Sequence, residues 1–60
     1  MMNSGHARFA EALVFVHGDR AEGEAAMHAS LCEKSGDTKT AATWRQVQLA
    51  VRMLSAKRAA

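Results

Sequence analysis

Three histidines recur at eleven-residue intervals, His6, His17 and His28, and Glu24, His28 and Cys32 follow one another four residues apart. On a helix the second set shares one face, and imidazole, thiolate and carboxylate are all zinc ligands. A structural zinc site takes four such groups, usually with paired cysteines, whereas this chain has a single cysteine. The Gly18-Asp19 step also spoils the alignment of the histidines. His28 and Cys32 are therefore expected as a packed histidine and an inert thiol, with metal binding by the pair left open. Nucleophilic catalysis by Cys32 needs a base and an orienting group in a shielded cleft. His28 is one turn away, but no cleft can be assigned. The four glycines are scattered and form no phosphate-cradling loop. No catalytic, cofactor-binding or metal residue is expected, and the chain reads as a non-enzyme.

Basic chemistry gathers at the other end. After Asp37 there is no acid, while Lys39, Arg45, Arg52, Lys57 and Arg58 accumulate. Arg45 and Arg52, seven apart with Gln48 between, leave one side of a helix and could meet phosphates. The segment does not read as helix-turn-helix. Placing Gly36 at that motif's turn glycine leaves Ser35 and Asp37 where apolar residues belong, and Arg45 where a late core residue belongs. Trp44 is expected to point inward, so no surface aromatic suits base stacking. Nucleic-acid contact through Arg45, Arg52, Lys57 and Arg58 is thus the second reading, behind a solvated basic face that balances an acidic first half. Residues 1–30 carry two arginines against four acids, a charge of −2; residues 31–60 carry six basic residues against two acids, a charge of +4.

The elements that position these groups follow from composition. The 60 residues include no proline, no tyrosine and 29 apolar residues, of which 13 are alanine. Alanine has the highest helix propensity and is depleted in strands, so an all-α fold is expected. Setting aside Cys32 and the alanines leaves 15 large apolar side chains, a thin core for one small domain. So few cannot both fill a core and wall off a pocket of several hundred Å³. The lone cysteine excludes an internal disulfide staple and points to a reducing, cytoplasmic setting. The apolar run from Phe9 to Val16 contains Glu11 and is too short to cross a bilayer, so no membrane partner is expected.

Asn3 and Ser4 suit the cap of a first helix over about residues 6–17, with Phe9, Ala12, Leu13 and Val16 on one face. Val14 and Phe15 fall off that stripe, which suggests a helix covered on more than one side. Gly18 suits a helix C-terminus, and Asp19 with Glu22 reads as a capping box for a second helix over about 20–34. A single helix bent at Gly18 is the alternative. The second helix has a weak face of Ala21, Ala25, His28 and Cys32, with Met27 and Leu31 beside it, and its small residues mark it as the inner element. Ser35-Gly36-Asp37 repeats the punctuation before a third helix over about 38–56. There Trp44, Val47, Val51 and Leu54 form a core face about 80° wide at 100° per residue. A second apolar line, Ala42, Leu49, Met53 and Ala56, has nothing left to cover it in so small a chain.

The order of these landmarks resembles a group of short, uncharacterised bacterial helical proteins, a domain of unknown function. In these an early apolar helix ends in His-Gly, a second ends in Gly-Asp, and the last carries a tryptophan followed three residues on by Ile or Val. The matching residues are Phe9 to Val16, His17-Gly18, Gly36-Asp37, and Trp44 with Val47, Val51 and Leu54. The likeness spans about residues 8–54 and departs at Met27, His28 and Cys32, where such proteins carry aliphatic residues. It implies no activity and no catalytic residue.

The expectation is therefore a helical hairpin or small three-helix unit completed by self-association. It would serve as a non-catalytic interaction or regulatory module. Ala42, Leu49, Met53 and Ala56 would form the contact with a second copy or with a larger protein on which the stripe docks.

Overall fold

The computed structural model describes residues 4–59, with the side chains of residues 4, 58 and 59 outside the description. The fold is all-α: α1 spans Ser4–His17, α2 Ala21–Lys34 and α3 Thr38–Ala59. A 3-10 turn, Gly18–Arg20, separates the first two helices, so the bent-helix alternative does not hold. The helices start and stop within a few residues of expectation, α1 and α3 running longer. The expected Asn3 cap lies outside the described residues.

Two glycines make the connections. Gly18 has φ 60° and Gly36 φ 86°, the left-handed region that side chains disfavour. At Gly36 the backbone closes α2 in two steps: Asp37 N–H donates to Cys32 C=O at 2.9 Å and Gly36 N–H donates to Glu33 C=O at 3.1 Å. This is the Schellman pattern, which satisfies carbonyls that a helix end leaves open. Asp37 then caps α3, its Oδ1 accepting from Thr40 N–H at 3.1 Å. The earlier Gly-Asp pair behaves differently. The residue before α2 is Arg20, with no side-chain cap bond, so the expected Asp19/Glu22 capping box does not form. Glu22 is drawn to α3 instead.

The core is made of small side chains. Among the described residues the buried apolar groups are Ala10, Val14, Ala21, Ala25, Ala29, Ala41, Val47 and Val51, and the largest wholly buried side chains are valines. Leu13, Trp44, Ala50 and Leu54 pack half-buried against this set. On α3 the expected face is the observed one, with Ala41 added. On α2 the line is Ala21, Ala25 and Ala29: His28 is exposed and Cys32 only partly buried. The expected α1 stripe is corrected more fully. Phe9 and Val16 are 45% and 70% exposed and Ala12 is exposed, while Ala10 and Val14 turn inward. The reason is distance. Helices meeting through alanine approach closely, and the narrower Ala10/Val14 side of α1 fits where the Phe9/Val16 side would not. The inner element is α3, which packs on both α1 and α2, rather than α2 as expected.

Close approach sets two measurable costs. Ala25→Leu should lower the unfolding free energy by about 1–3 kcal/mol, because the added atoms have no void to enter. Gly36→Ala should lower it by about 1–2 kcal/mol through backbone strain alone, since nothing lies within 4 Å of the added Cβ. Urea denaturation followed by circular dichroism reads both. Little or no loss for Ala25→Leu would contradict the close packing.

Candidate functional site

The residues singled out for chemistry do not converge. His28 lies flat on Trp44, ring centroids 4.4 Å apart at 15°, and Phe9 approaches the same indole at 5.4 Å and 58°. Trp44 thus joins one aromatic group from each helix, as stacked and tilted π-systems prefer. Cys32 is a free, partly buried thiol. Among the described residues no three His, Cys, Asp or Glu side chains gather as a metal site. His28 covers one face of the tryptophan.

The arginines have partners already. Arg45 forks onto Glu33, Nη2 to Oε1 at 3.1 Å and Nε to Oε2 at 3.3 Å, and its Nη1 donates to Gln48 Oε1 at 3.1 Å. Gln48 Nε2 donates in turn to Glu22 Oε2 at 3.4 Å, which also accepts from Arg52 Nε at 3.0 Å and Nη2 at 2.7 Å. The result is an unbroken polar ladder along the α2–α3 seam. Its rungs are partly solvated, so each ion pair contributes at most about 1 kcal/mol, but the forked geometry fixes the register of the two helices. The hydrogen bonds from Arg52 hold the Glu22 carboxyl below its ordinary value of 4.5, against an opposing effect of desolvation and with help from Gln48. Of the other two basic residues proposed as phosphate contacts, Lys57 is rotated about 140° from Arg52 around α3 and lines a different groove. The Arg58 side chain lies outside the described residues. Lys57 therefore does not join Arg45 and Arg52 in one basic patch.

The apolar line is where the expectation and the structure meet. Ala42 and Ala56 are exposed, and Leu49 and Met53 are 51% and 70% exposed. This line lies about 180° around α3 from Val47 and Val51. Exposed Gln46 completes a heptad-like seam of Ala42, Gln46, Leu49, Met53 and Ala56, with alternating spacings of four and three. Met53 also borders a groove between α1 and α3 that the sequence did not reveal. One compartment, about 360 Å³, is lined by Glu11, Val14, Phe15 and Leu54. The next, about 210 Å³, is lined by Ala7, Ala50, Met53, Leu54 and Lys57. Phe15 at its edge is 91% exposed, so a surface aromatic exists after all, placed on α1. Its position off the expected α1 stripe was the available signal.

No helix of the described residues is long and apolar enough to cross a membrane. The ladder predicts a pH dependence. Because the Glu22 value is lowered on folding, its contribution is complete above 4.5 and is lost as the pH falls through the lower folded value. Glu22→Gln should therefore be less stable than the parent at pH 7, and the gap should close in acid. A gap independent of pH in urea titrations would contradict the assignment. Comparison with protein-family models, curated proteins and solved structures finds no match to this chain, so its functional reading rests on this geometry.

Proposed function

We propose that this chain is a small, non-catalytic helical interaction module that self-associates through the outer face of α3. The observation that carries this reading is the inversion of side-chain size between core and surface. Among the described residues the buried apolar groups are all alanines and valines, while Phe9, Phe15, Val16, Met27, Leu31, Leu49 and Met53 are exposed. Apolar surface left in this way on a soluble protein marks an interface. A twofold contact is the simplest one that a chain makes with itself.

Charge supports a second copy as the occupant. Arg45 and Arg52 flank the Leu49/Met53 seam and would repel their symmetry mates if they were bare. Glu33 and Glu22 neutralise them within each chain. The same pairs count against the nucleic-acid reading, since a phosphate would have to displace both carboxylates.

Sedimentation equilibrium from micromolar to millimolar protein tests the reading. The expected result is a mass approaching twice 6.5 kDa, with Leu49→Glu and Met53→Glu monomeric but still helical. A mass of 6.5 kDa throughout, or association unchanged by both substitutions, would overturn it.

A further inference from the structure

Resting on that self-association, we infer that the Glu22–Arg52 and Glu33–Arg45 pairs form a charge switch. With both carboxylates ionised two copies pair through α3; with both neutralised the bare arginines hold the copies apart. The placing of cations around the seam carries this. Leu49, Met53 and Ala56 point outward from α3, opposite Val47 and Val51. At 100° per residue Arg45 and Arg52 lie on the flank of that line nearer α2, and Lys57 on the flank nearer α1. A twofold contact of antiparallel helices sets like flank against like flank, so arginine faces arginine. A twofold contact of parallel helices sets opposite flanks together, so arginine faces lysine. In either orientation Arg45 and Arg52 meet positive charge, and like charges juxtaposed across an interface oppose association.

The carboxylates remove that conflict from within each chain. Glu33 takes Arg45 in a fork at 3.1 and 3.3 Å, and Glu22 Oε2 accepts from Arg52 at 2.7 and 3.0 Å. Gln48 joins the pairs, accepting from Arg45 and donating to Glu22, so losing one pair loosens the other. From α3 Glu22 faces Arg52 and Gln48, and Glu33 faces Arg45. Among the described residues no group of α1 hydrogen-bonds or ion-pairs with either carboxylate. The Glu22 and Glu33 side chains are 35% and 49% exposed, so both stay open to protons, and acid is the signal that neutralises them. Because Arg52 holds Glu22 below 4.5, the switch completes only below that pH.

The experiment is sedimentation velocity on the full chain, with helicity followed by circular dichroism. It compares the parent, Glu22→Gln/Glu33→Gln, and a neutral variant that adds Arg45→Gln and Arg52→Gln to that pair. At neutral pH and about 0.1 M salt the two-site variant should raise the dimer dissociation constant at least about tenfold. Raising the salt to about 1 M, where the screening length falls to about 3 Å, should recover much of that loss. The neutral variant should associate within about threefold of the parent, since nothing is left to repel. Acidification to about pH 4 should weaken the parent more than the neutral variant. Equal association of the parent and the two-site variant would overturn the switch and leave self-association standing. So would a neutral variant as weak as the two-site one, or the same response of parent and neutral variant to acid, because the carboxylates would then serve the fold alone. A parent that stays monomeric at every concentration overturns self-association and the switch with it. If the two-site variant loses helicity, Glu33→Gln alone carries the same test, since Glu33 is the more exposed of the two carboxylates.

Discussion

Alanine sets the distance between these helices, and most of the structure follows from that distance. Ala21, Ala25 and Ala29 present α2 to α3 as a flat ridge, all three without accessible surface, and Ala10 does the same for α1. Side chains this small let helix axes approach closely, and tight packing then excludes anything larger from the contact. Phenylalanine, leucine and methionine have no interior position to occupy and are left at the rim or outside. Burying an alanine methyl gains about 0.8 kcal/mol, against about 1.5–3 kcal/mol for a fully buried leucine, phenylalanine or methionine. A core of alanine and valine therefore stabilises the isolated chain weakly for its size.

What such a core lacks in energy, local devices supply in definition. The Schellman closure at Gly36 and the Asp37 cap fix where α2 ends and α3 begins. Beyond the turn, the ladder from Glu33 through Arg45, Gln48 and Glu22 to Arg52 holds the two helices in one register. Trp44 ties α1 to the α2–α3 pair by meeting Phe9 and His28 together. These contacts determine one arrangement more than they stabilise it, which is the usual role of partly solvated ion pairs and caps.

The parts of the fold that sequence reading reached are those governed by local rules. Three helices, the glycine stops at Gly18 and Gly36, the Asp37 cap and the Val47/Val51 face all depend on residues within a turn or two of one another. The α1 face did not follow, because Phe9 and Val16 outweigh Ala10 and Val14 in any tally of hydrophobicity. The choice between them was made by how closely another helix approaches. His28 was placed inward in preference to its neighbour Ala29 for the same reason. Glu22 looked like a local capping residue and is instead bound 30 residues away to Arg52, a pairing that spacing along one helix cannot show. Of the candidate surface, the Ala42/Leu49/Met53/Ala56 line was legible as surplus apolar spacing. The groove beside it, formed only when α1 crosses α3, was not.

Surplus apolar surface on α3 and a deficient core are thus two sides of one constraint, and the self-association proposed above would resolve both. Folding and association would then be coupled, and stability would depend on protein concentration. Thermal unfolding by circular dichroism over a hundredfold range of concentration tests this most directly. The account predicts a Tm that rises steadily with concentration. A Tm constant across that range would contradict it, showing that the alanine and valine core sustains the fold alone.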